Sequence, residues 1–564
     1  MELVYLWVEK YKNIQSQGFN FSPRFDCKFY DEYDKDGKLK DDCKLDIKPK
    51  EHIENFFGDN INVTAIVGKN GSGKSNLLKL LFNDEKSLSY VKDSFYIFMD
   101  GTSKQLKLYY FDRLRLRHVK NIETNRTYTL SEIKENTISE HEFSMISFSP
   151  MYQELPTHTG DENTNFKNIS TAYLVHNFSD SYIKFKSKTI ENILLMLQDT
   201  NIDLPFKIPR KLNIVLNNSI NEQLTDKISD EINNFATKAK YNIIYNYYDS
   251  LDDLSKENFI EDTKALDTYI TEILGYSNIP LNNFLSTLDI QENEYSYTFL
   301  TLETILSDGN DFIDKLKELN EIDILDAIKV FNFNWKPELS SGQEAFLFQF
   351  ANLYNAIKEI TEEKISILID EGETTMHPDW QKTYLKWYVD FLSKNFTDKK
   401  FHIIFTTHSP FLISDIPKQN IIFLDTYKKD EGEQKIGNCK VVDGLSQTFG
   451  ANIHTLLSDS FFMEDGLMGE FAKGKINEIK EFYQKVEKEK EKNTDENLEY
   501  YNQNKDKFWQ IQKIIGEPFL QRVIKNYLDE LELFFTDDET LIDKELAEIE
   551  KRKVYLESLK NDKT

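Results

Sequence analysis

The sequence predicts an α/β fold whose core is a largely parallel β-sheet. Three observations lead to this prediction. The stretch 65–81 runs from an apolar strand through a glycine-rich turn into a leucine-striped helix, and two further apolar strands lie within 364–371 and 401–408. An amphipathic segment separates these two strands. Unbroken apolar runs are typical of strands buried on both faces, and the order strand, helix, strand is typical of parallel pairing.

The glycine-rich turn fits the spacing G-x-x-x-x-G-K-S, from Gly68 to Ser75. Its glycines let successive backbone N–H groups point at a phosphate, and the helix that follows adds the positive end of its dipole. In such turns the lysine, here Lys74, reaches the β- and γ-phosphates, and the hydroxyl of the next residue binds Mg²⁺. The sequence therefore predicts a nucleotide site formed by Asn70, Gly71, Ser72, Gly73, Lys74 and Ser75.

Size and composition limit what else the chain can be. A chain of 564 residues favours several domains. The formal net charge of −27 repels nucleic acid, so DNA contact requires a partner or a local basic patch, such as the alternating arginines of 113–117. No apolar run approaches the roughly 18 residues that cross a bilayer, and Glu2 and Glu9 stand where a signal peptide is basic. We therefore expect a cytoplasmic protein without membrane contact.

The three cysteines form no C-x-x-C pair, so the sequence supports neither a disulfide framework nor a zinc hook. Changes of pattern along the chain predict four parts. These are a first lobe with a β-rich start and the P-loop (1–155), a helical insertion (156–330), a second lobe with a regular α/β pattern (331–455), and a charged, helical, partner-binding region (456–564).

The second lobe contains groups suited to phosphate chemistry. Asp370 ends an apolar strand and is placed to hold Mg²⁺, and Glu371 is placed to orient and deprotonate the attacking water. Two carboxylates directly after a buried strand are costly unless they serve a cation. His408 ends the next strand, where its side chain can reach the γ-phosphate and sense its loss. The segment LSSGQ places Ser340 and Gly342 at a helix N-terminus, which is another anion site.

The ordered set GKNGSGKS, LSSGQ, ILIDE and TTHSP resembles the ABC-type ATPase heads of the SMC, RecF and OLD group. The resemblance implies ATP hydrolysis with Mg²⁺ in a head-to-tail homodimer or higher homo-oligomer. One copy's signature segment, Ser340, Ser341, Gly342 and Gln343, would contact the nucleotide held by the other copy. The resemblance also implies a glutamine ligand of Mg²⁺, for which Gln153 is the candidate. Where the family commonly has D-E-P-E, Gly372 replaces the proline, which predicts a looser loop.

The stretch 447–476 and the later IIGEPFLQRVI resemble the carboxy-terminal segment of the ATPase subunits of Septu antiphage systems (PtuA). This resemblance implies a regulator of a partner HNH endonuclease (PtuB). In retron-linked systems a reverse transcriptase and its RNA–DNA product join the complex, and DNA would be reached through the complex. The scattered histidines of this chain lack metal-ligand companions, so we expect the partner to cut.

Two alternatives stay open. A RecF- or SMC-like repair ATPase would clamp DNA directly, with an affinity that falls steeply with salt. An OLD-like ATPase would carry its own nuclease centre, and Glu464, Asp537 and Asp538 mimic pieces of one. The sequence between these acidic residues indicates charged helix rather than the alternating strands and helices that a nuclease domain needs.

Overall fold

The computed structural model divides the chain into two compact units, Met1–Met463 and Glu464–Thr564. The residues that it describes are 2–40, 43–82, 92–100, 105–110, 129–134, 144–150, 166–177, 182–200, 202–216, 236, 238–240, 242–243, 278–288, 297–307, 310–321, 330–428, 436–444, 447–459, 468–488, 495–535, 550 and 552–553.

The strands are β1 Glu2–Tyr11, β2 Ile14–Asn20, β3 Phe25–Tyr30, β4 Lys44–Pro49, β5 Ile61–Gly68, β6 Lys92–Asp100, β7 Gln105–Tyr110, β8 Thr129–Lys134, β9 Ser144–Phe148, β10 Phe166–Asn168, β11 Lys211–Leu216, β12 Tyr297–Thr301, β13 Phe331–Lys336, β14 Lys364–Asp370, β15 Lys400–Thr407, β16 Ile421–Thr426 and β17 Cys439–Val442.

The α-helices in the described part of the chain are α1 Lys74–Leu81, α2 Thr171–Asn177, α3 Tyr182–Asp199, α4 Asn278–Ser286, α5 Leu302–Ile305, α6 Phe312–Glu321, α7 Ser341–Glu359, α8 Pro378–Gln381, α9 Tyr384–Asn395, α10 Pro410–Ser414, α11 Ile453–Asp459, α12 Glu470–Lys488, α13 Asp495–Ile514 and α14 Pro518–Phe535. A short 3-10 helix spans Lys418–Asn420.

A seven-stranded sheet lies at the centre of the first unit, in the order β10-β9-β14-β15-β5-β16-β17. All its pairs are parallel except the pair of β16 with the edge strand β17. Along β5, Val63, Ala65 and Val67 pack into one core cluster and Ile66 into another. The sheet is therefore covered on both faces, which is why its strands are continuously apolar. The predicted α/β fold class is confirmed.

The β-rich start forms a second sheet, in the order β2-β1-β6-β7-β8. Its pairs are antiparallel except the pair of β7 with β8. Strands β6 and β7 of this sheet are neighbours in the sequence, and Asp100 lies opposite Gln105. Apolar side chains of β1, such as Leu6 and Val8, pack with α1 residues Leu77 and Leu78. This sheet therefore supports the helix that follows the glycine-rich turn.

The segment 156–330 differs from the helical insertion that we predicted. Its described residues include α2 to α6, but also β11 and β12, which form an antiparallel three-stranded sheet with β13. Leu212, Ile214 and Leu216 are buried at every second position of β11, which is the two-residue period of a strand.

The second unit contains α12, α13 and α14, which share one apolar core. The core residues recur at helical spacing, and they are Ile476, Ile479, Phe482, Val486, Tyr501, Phe508, Ile524, Leu528 and Leu531. An ion pair of 2.9 Å between Lys507 and Glu478 joins the later part of α13 to the earlier part of α12, so these helices run antiparallel. The boundary predicted at 456 falls within α11, and this unit begins at Glu464.

None of the helices among the described residues has the length and apolar character needed to cross a membrane.

His402 is buried within β15, with 2% of its surface exposed. Its Nε2 lies 2.9 Å from Thr64 Oγ1, and the Thr64 hydroxyl also lies 2.6 Å from the carbonyl oxygen of Phe21, to which it donates. Nε2 therefore carries the proton that is shared with Thr64. Burial disfavours the charged imidazolium and lowers the pKa of His402 from 6.5 to about 3.

This buried histidine predicts a loss of stability in mild acid. The unfolded chain binds a proton at His402 below its ordinary pKa of 6.5, whereas the folded chain does not until the pH falls to about 3. Between pH 7 and pH 5 the loss from this residue is about 2 kcal/mol. We expect the thermal unfolding midpoint to fall less over this range in His402→Gln than in the parent protein. An equal fall in both would show that His402 is not neutral when folded.

Candidate functional site

The three strands that carry the predicted motifs are neighbours in the central sheet. β14 pairs with β15, which places Asp370 beside Thr406, and β15 pairs with β5, which places Thr407 beside Val67. All three strands are parallel, so their carboxyl ends meet at one edge of the sheet. This edge therefore gathers the glycine-rich turn after β5, the carboxylates after β14 and His408 after β15.

The glycine-rich turn needs glycine for two different reasons. Gly73 precedes α1 with a φ of 106°, and Gly71 has a φ of 80°, both in the left-handed region that disfavours side chains. Gly68 ends β5 where a Cβ atom would lie 2.3 Å from the carbonyl oxygen of Leu424 on β16. The backbone of this turn is thus fixed by its conformation and by close packing.

Lys74 is buried at the start of α1. Its Nζ donates to the carbonyl oxygens of Gly68 and Lys69, at 3.0 and 3.2 Å. Burial lowers the pKa of Lys74, and the nearby carboxylates of Glu371 and Asp370 act in the opposite direction. The ammonium group therefore lies over the turn, facing the two acids, where a nucleotide phosphate would be contacted.

Ser75 and Asp370 form an oxygen-rich pair next to this lysine. The Ser75 hydroxyl donates to Asp370 Oδ1 at 3.2 Å, and the Thr406 hydroxyl donates to the same oxygen. Hydroxyl and carboxylate oxygens are the ligands that Mg²⁺ prefers. These two side chains therefore fit the predicted metal site.

Glu371 has an unusual backbone conformation, with a φ of 52°. Its N–H lies 3.1 Å from both the carbonyl oxygen and the hydroxyl oxygen of Thr406. The left-handed region is costly for a side-chain-bearing residue, and such strain is found mainly at functional sites. The conformation turns the chain directly after Asp370. As a result, the Asp370 side chain contacts Ser75, whereas the Glu371 side chain contacts His408.

The Glu371 carboxylate lies beside His408, with Oε1 3.4 Å from Nε2. The hydrogen bond from His408 is the largest cause that holds the pKa of Glu371 below its usual value, and the charge of Lys74 acts in the same sense. Desolvation opposes this shift only in part. Glu371 is therefore ionised at neutral pH, as a base that accepts a proton from water must be.

The signature segment, Ser340–Gln343, lies at the start of α7. Ser340 is the N-cap, its hydroxyl accepts from the Gln343 N–H, and the Gln343 side chain accepts from the Ser340 N–H. Ser340 and Ser341 are exposed. A Cβ at Gly342 would lie 3.5 Å from the carbonyl oxygen of Thr375. The segment thus borders the loop that follows Glu371, and the described hydrogen bonds of Ser340 stay within its own cap.

The structure thus brings together Lys74, Ser75, Asp370, Glu371 and His408. Gln153, the candidate metal ligand, lies outside the described residues, as do the arginines of 113–117 and the acidic residues Glu464, Asp537 and Asp538. The roles assigned to them stay predictions.

Asn13 is a residue of this site that sequence reasoning missed. Its side chain donates to the Gly71 carbonyl oxygen at 3.0 Å and accepts from the Asn76 side chain at 2.9 Å, and its own carbonyl oxygen accepts from the Cys439 N–H at 2.7 Å. Asn13 lies in the two-residue turn between β1 and β2 and ties the glycine-rich turn to β17. The sequence KN signals a turn there, but not a contact with Gly71, 58 residues away.

Thr406 is a second missed residue, although the TTHSP motif contains it. Its hydroxyl and carbonyl groups orient both Asp370 and the N–H of Glu371. The signal that could have identified it is its position, because the parallel register places the end of β15 beside the end of β14.

The expectation of a looser loop at Gly372 was wrong. A Cβ at this position would lie 2.3 Å from Tyr384 Oη and 2.7 Å from Gln349 Nε2. Distances this short do not occur for real Cβ atoms, so glycine allows the loop to pack closely against α7 and α9.

Comparison with protein families matches residues 37–413 to the AAA ATPase domain. The match covers 377 of 564 residues, about two thirds of the chain, and includes the glycine-rich turn, both acids and His408. The chain belongs to this family. It is an ATPase, and the glycine-rich turn has the sequence and backbone conformation of a nucleotide-binding P-loop. A search of curated proteins finds no match.

From this geometry we expect the residues of the site to have different roles in ATP hydrolysis. The P-loop backbone and Lys74 would bind and orient the phosphates, and Ser75 and Asp370 are the side chains that would hold Mg²⁺. Bound Mg²⁺ would neutralise charge that develops on the phosphate oxygens. Glu371 would accept the proton of the attacking water, and His408 is placed to hold the Glu371 carboxylate in position and ionised.

Glu371→Gln tests this assignment. The amide keeps the size of the side chain but cannot accept the proton, so we expect kcat for ATP to fall about 10²- to 10⁴-fold with little change in nucleotide affinity. Phosphate release and binding of a fluorescent ATP analogue measure the two quantities. Glu363→Gln, before the opposite end of β14, is the matched control and should hydrolyse ATP normally. Undiminished turnover in Glu371→Gln would remove Glu371 from the mechanism.

Proposed function

We propose that this ATPase is the regulatory subunit of a Septu-like antiphage defence system, possessing ABC-type composite ATP sites and controlling an HNH endonuclease subunit. The observation that carries the proposal is the division of the site within one chain. The P-loop, Asp370, Glu371 and His408 meet at one edge of the central sheet, while Ser340 is exposed and its hydroxyl is bonded within its own cap.

A second copy of the chain supplies what this arrangement lacks. The N-terminus of α7 presents backbone N–H groups and the positive end of a helix of 19 residues, which favours an anion. Ser340 and Ser341 are exposed beside it, so this end can dock on the γ-phosphate of ATP held by another chain. Two copies related by a two-fold axis then form two equal sites. ATP with Mg²⁺ is the ligand of each site, with Gln153 as a further metal ligand.

The helical second unit is the proposed binding region for the nuclease. Phe471, Ile514 and Phe519 are exposed by 83%, 81% and 74%. They lie at the start of α12, the end of α13 and the start of α14, which the antiparallel course of the helices places at one end of the bundle. Large exposed apolar residues grouped in this way are typical of protein interaction surfaces. We name these three residues the apolar tip.

The charge of the chain supports a division of labour with its partners. At a net charge of −27, the chain as a whole repels DNA, so a basic partner or a nucleic-acid component would mediate contact. In a retron-linked system, the reverse transcriptase and its RNA–DNA product would fill this place. The HNH subunit would then cut DNA, with ATP occupancy of the dimer setting when it does so.

Mixing two inactive variants tests the composite site. Lys74→Ala should abolish ATP binding in its own P-loop, and Ser340→Arg should block the site of the opposite chain, so each variant alone should be inactive. After mixing and subunit exchange, half of the dimers contain one intact site of two, so about a quarter of the parent activity should return. Lys74→Ala mixed with Lys74→Ala, Ser340→Arg is the control and should stay inactive. No recovery in exchanged mixtures would exclude sites shared between chains.

Co-purification tests the partner. We expect the HNH protein encoded beside this chain to bind the full-length ATPase, and Phe471→Ser with Phe519→Ser to weaken the complex at least 10-fold while ATP turnover is unchanged. Leu533→Ser, which changes another exposed apolar residue of α14 at its far end, is the matched control. Retention of the partner by the Phe471 and Phe519 variant would show that the apolar tip is not the binding surface.

A further inference from the structure

Glu373 lies beneath the ATP site, in the loop Glu371–Met376 that we call the catalytic loop. It is buried, with 3% of its surface exposed. Its Oε1 accepts a hydrogen bond from the hydroxyl of Thr407. The same Thr407 oxygen accepts from the N–H of Ser409 at 2.9 Å. The Thr407 hydroxyl thus links Glu373 to Ser409, and Thr407 and Ser409 are the two residues next to His408.

A second set of bonds closes this arrangement into a ring. The Ser409 hydroxyl donates to the Gln381 side chain at 2.8 Å. Gln381 in turn donates to the carbonyl oxygen of Met376 at 3.0 Å and lies 3.5 Å from that of Glu373. The catalytic loop and the turn Thr407–Ser409, which carry Glu371 and His408 respectively, are therefore held to each other by hydrogen bonds between buried and half-buried polar groups.

We propose that Glu373 is a positioning residue for ATP hydrolysis, whose buried carboxyl group fixes the turn Thr407–Ser409 so that His408 stays beside Glu371. The inference rests on the roles given above to Glu371 and His408. It does not depend on the nature of the partner or on the composite site.

The burial of Glu373 is the first argument for a role beyond stability. Its Oε2 has no hydrogen-bond partner among the described residues, and burial raises the pKa of the carboxyl group to about 7. The groups that face it are the hydroxyl of Thr407, the tyrosines Tyr384 and Tyr388 of α9, and the charges of Glu371 and His408. A buried carboxyl group with one unpaired oxygen stabilises the fold less than an apolar side chain of similar size would. Its presence therefore favours a functional role for Glu373.

The place of the loop gives the second argument. At Gly372 the loop lies against Gln349 of α7 and Tyr384 of α9, with no space for a Cβ atom. Gln349 donates to the Tyr384 hydroxyl, and its own Oε1 is a second buried oxygen without a partner in the described structure. Gln349 lies nine residues after Ser340 on the helix of the signature segment. A shift of α7 would therefore be passed to the catalytic loop and, through Glu373, to His408.

Three variants separate positioning from simple packing. Glu373→Leu and Thr407→Val each remove the bond and keep much of the volume, so we expect kcat for ATP to fall about 10- to 100-fold with KM unchanged within about twofold. Glu373→Gln keeps an oxygen that accepts from Thr407 and should stay within about threefold of the parent kcat. Thr64→Val, which removes another buried hydroxyl bonded to a histidine, His402 on β15, is the matched control. It should change the unfolding temperature but not kcat.

The decisive measurement repeats Glu373→Leu in a His408→Ala background. If Glu373 acts through His408, adding Glu373→Leu to His408→Ala should lower kcat little further, because the two changes disrupt the same interaction. A full further 10-fold loss would overturn the proposal, as would an unchanged kcat in Glu373→Leu alone or a Glu373→Gln variant as slow as Glu373→Leu.

Two controls keep the result interpretable. Binding of a fluorescent ATP analogue shows that each variant is folded. If Glu373→Leu does not bind the analogue, the kcat of Thr407→Val, alone and in the His408→Ala background, tests the proposal instead. Failure of the underlying assignment has a different signature, because turnover in Glu371→Gln would then equal that of the parent protein.

Discussion

The parallel register of β14, β15 and β5 is the constraint on which the catalytic arrangement depends. It places Asp370 beside Thr406 and Thr407 beside Val67, so three chain segments that are far apart in sequence end at one edge of the sheet. A shift of one residue in a parallel strand would turn Asp370 to the opposite face. The apolar side chains of both faces oppose such a shift, because each face packs into its own core cluster. Core packing and catalytic geometry are thus set together.

Charge balance is the second feature that unites the site. Lys74, Asp370 and Glu371 lie close enough to affect one another, and each is partly or largely removed from water. An isolated buried charge is very costly, but opposite charges and hydroxyl donors reduce the penalty here. Thr406 contributes by bonding to Asp370 and to the backbone of Glu371. The result is a set of groups whose orientation is fixed before a phosphate arrives, which is the property that electrostatic catalysis requires.

Helix α7 connects this site to an exposed surface of the first unit. The signature segment borders the catalytic loop through Gly342 and Thr375, and α7 touches the same loop again at Gly372 through Gln349. One helix therefore joins an exposed end, suited to an anion, to the backbone beside the catalytic acids. The second unit is built differently, as three helices around their own core with apolar residues left exposed at one end. The candidate ATP site and these exposed apolar residues thus lie in separate units of the chain.

The sequence alone determined the features that depend on local spacing. The P-loop from Gly68 to Ser75 is recognisable because its chemistry is performed by consecutive residues, and Asp370, Glu371 and His408 are recognisable because each follows an apolar strand. Only the tertiary structure decided which distant groups support them. Asn13, in the turn between β1 and β2, binds the carbonyl oxygen of Gly71, and Glu373, in the loop after β14, binds the hydroxyl of Thr407 on β15. Glycine is required at position 372 because side chains of two helices lie close to it. The strands β11 and β12 were likewise missed, because they pair with each other and with β13 across long separations. Local patterns report the chemistry that a short segment performs, whereas contacts between segments depend on a register that no single segment encodes.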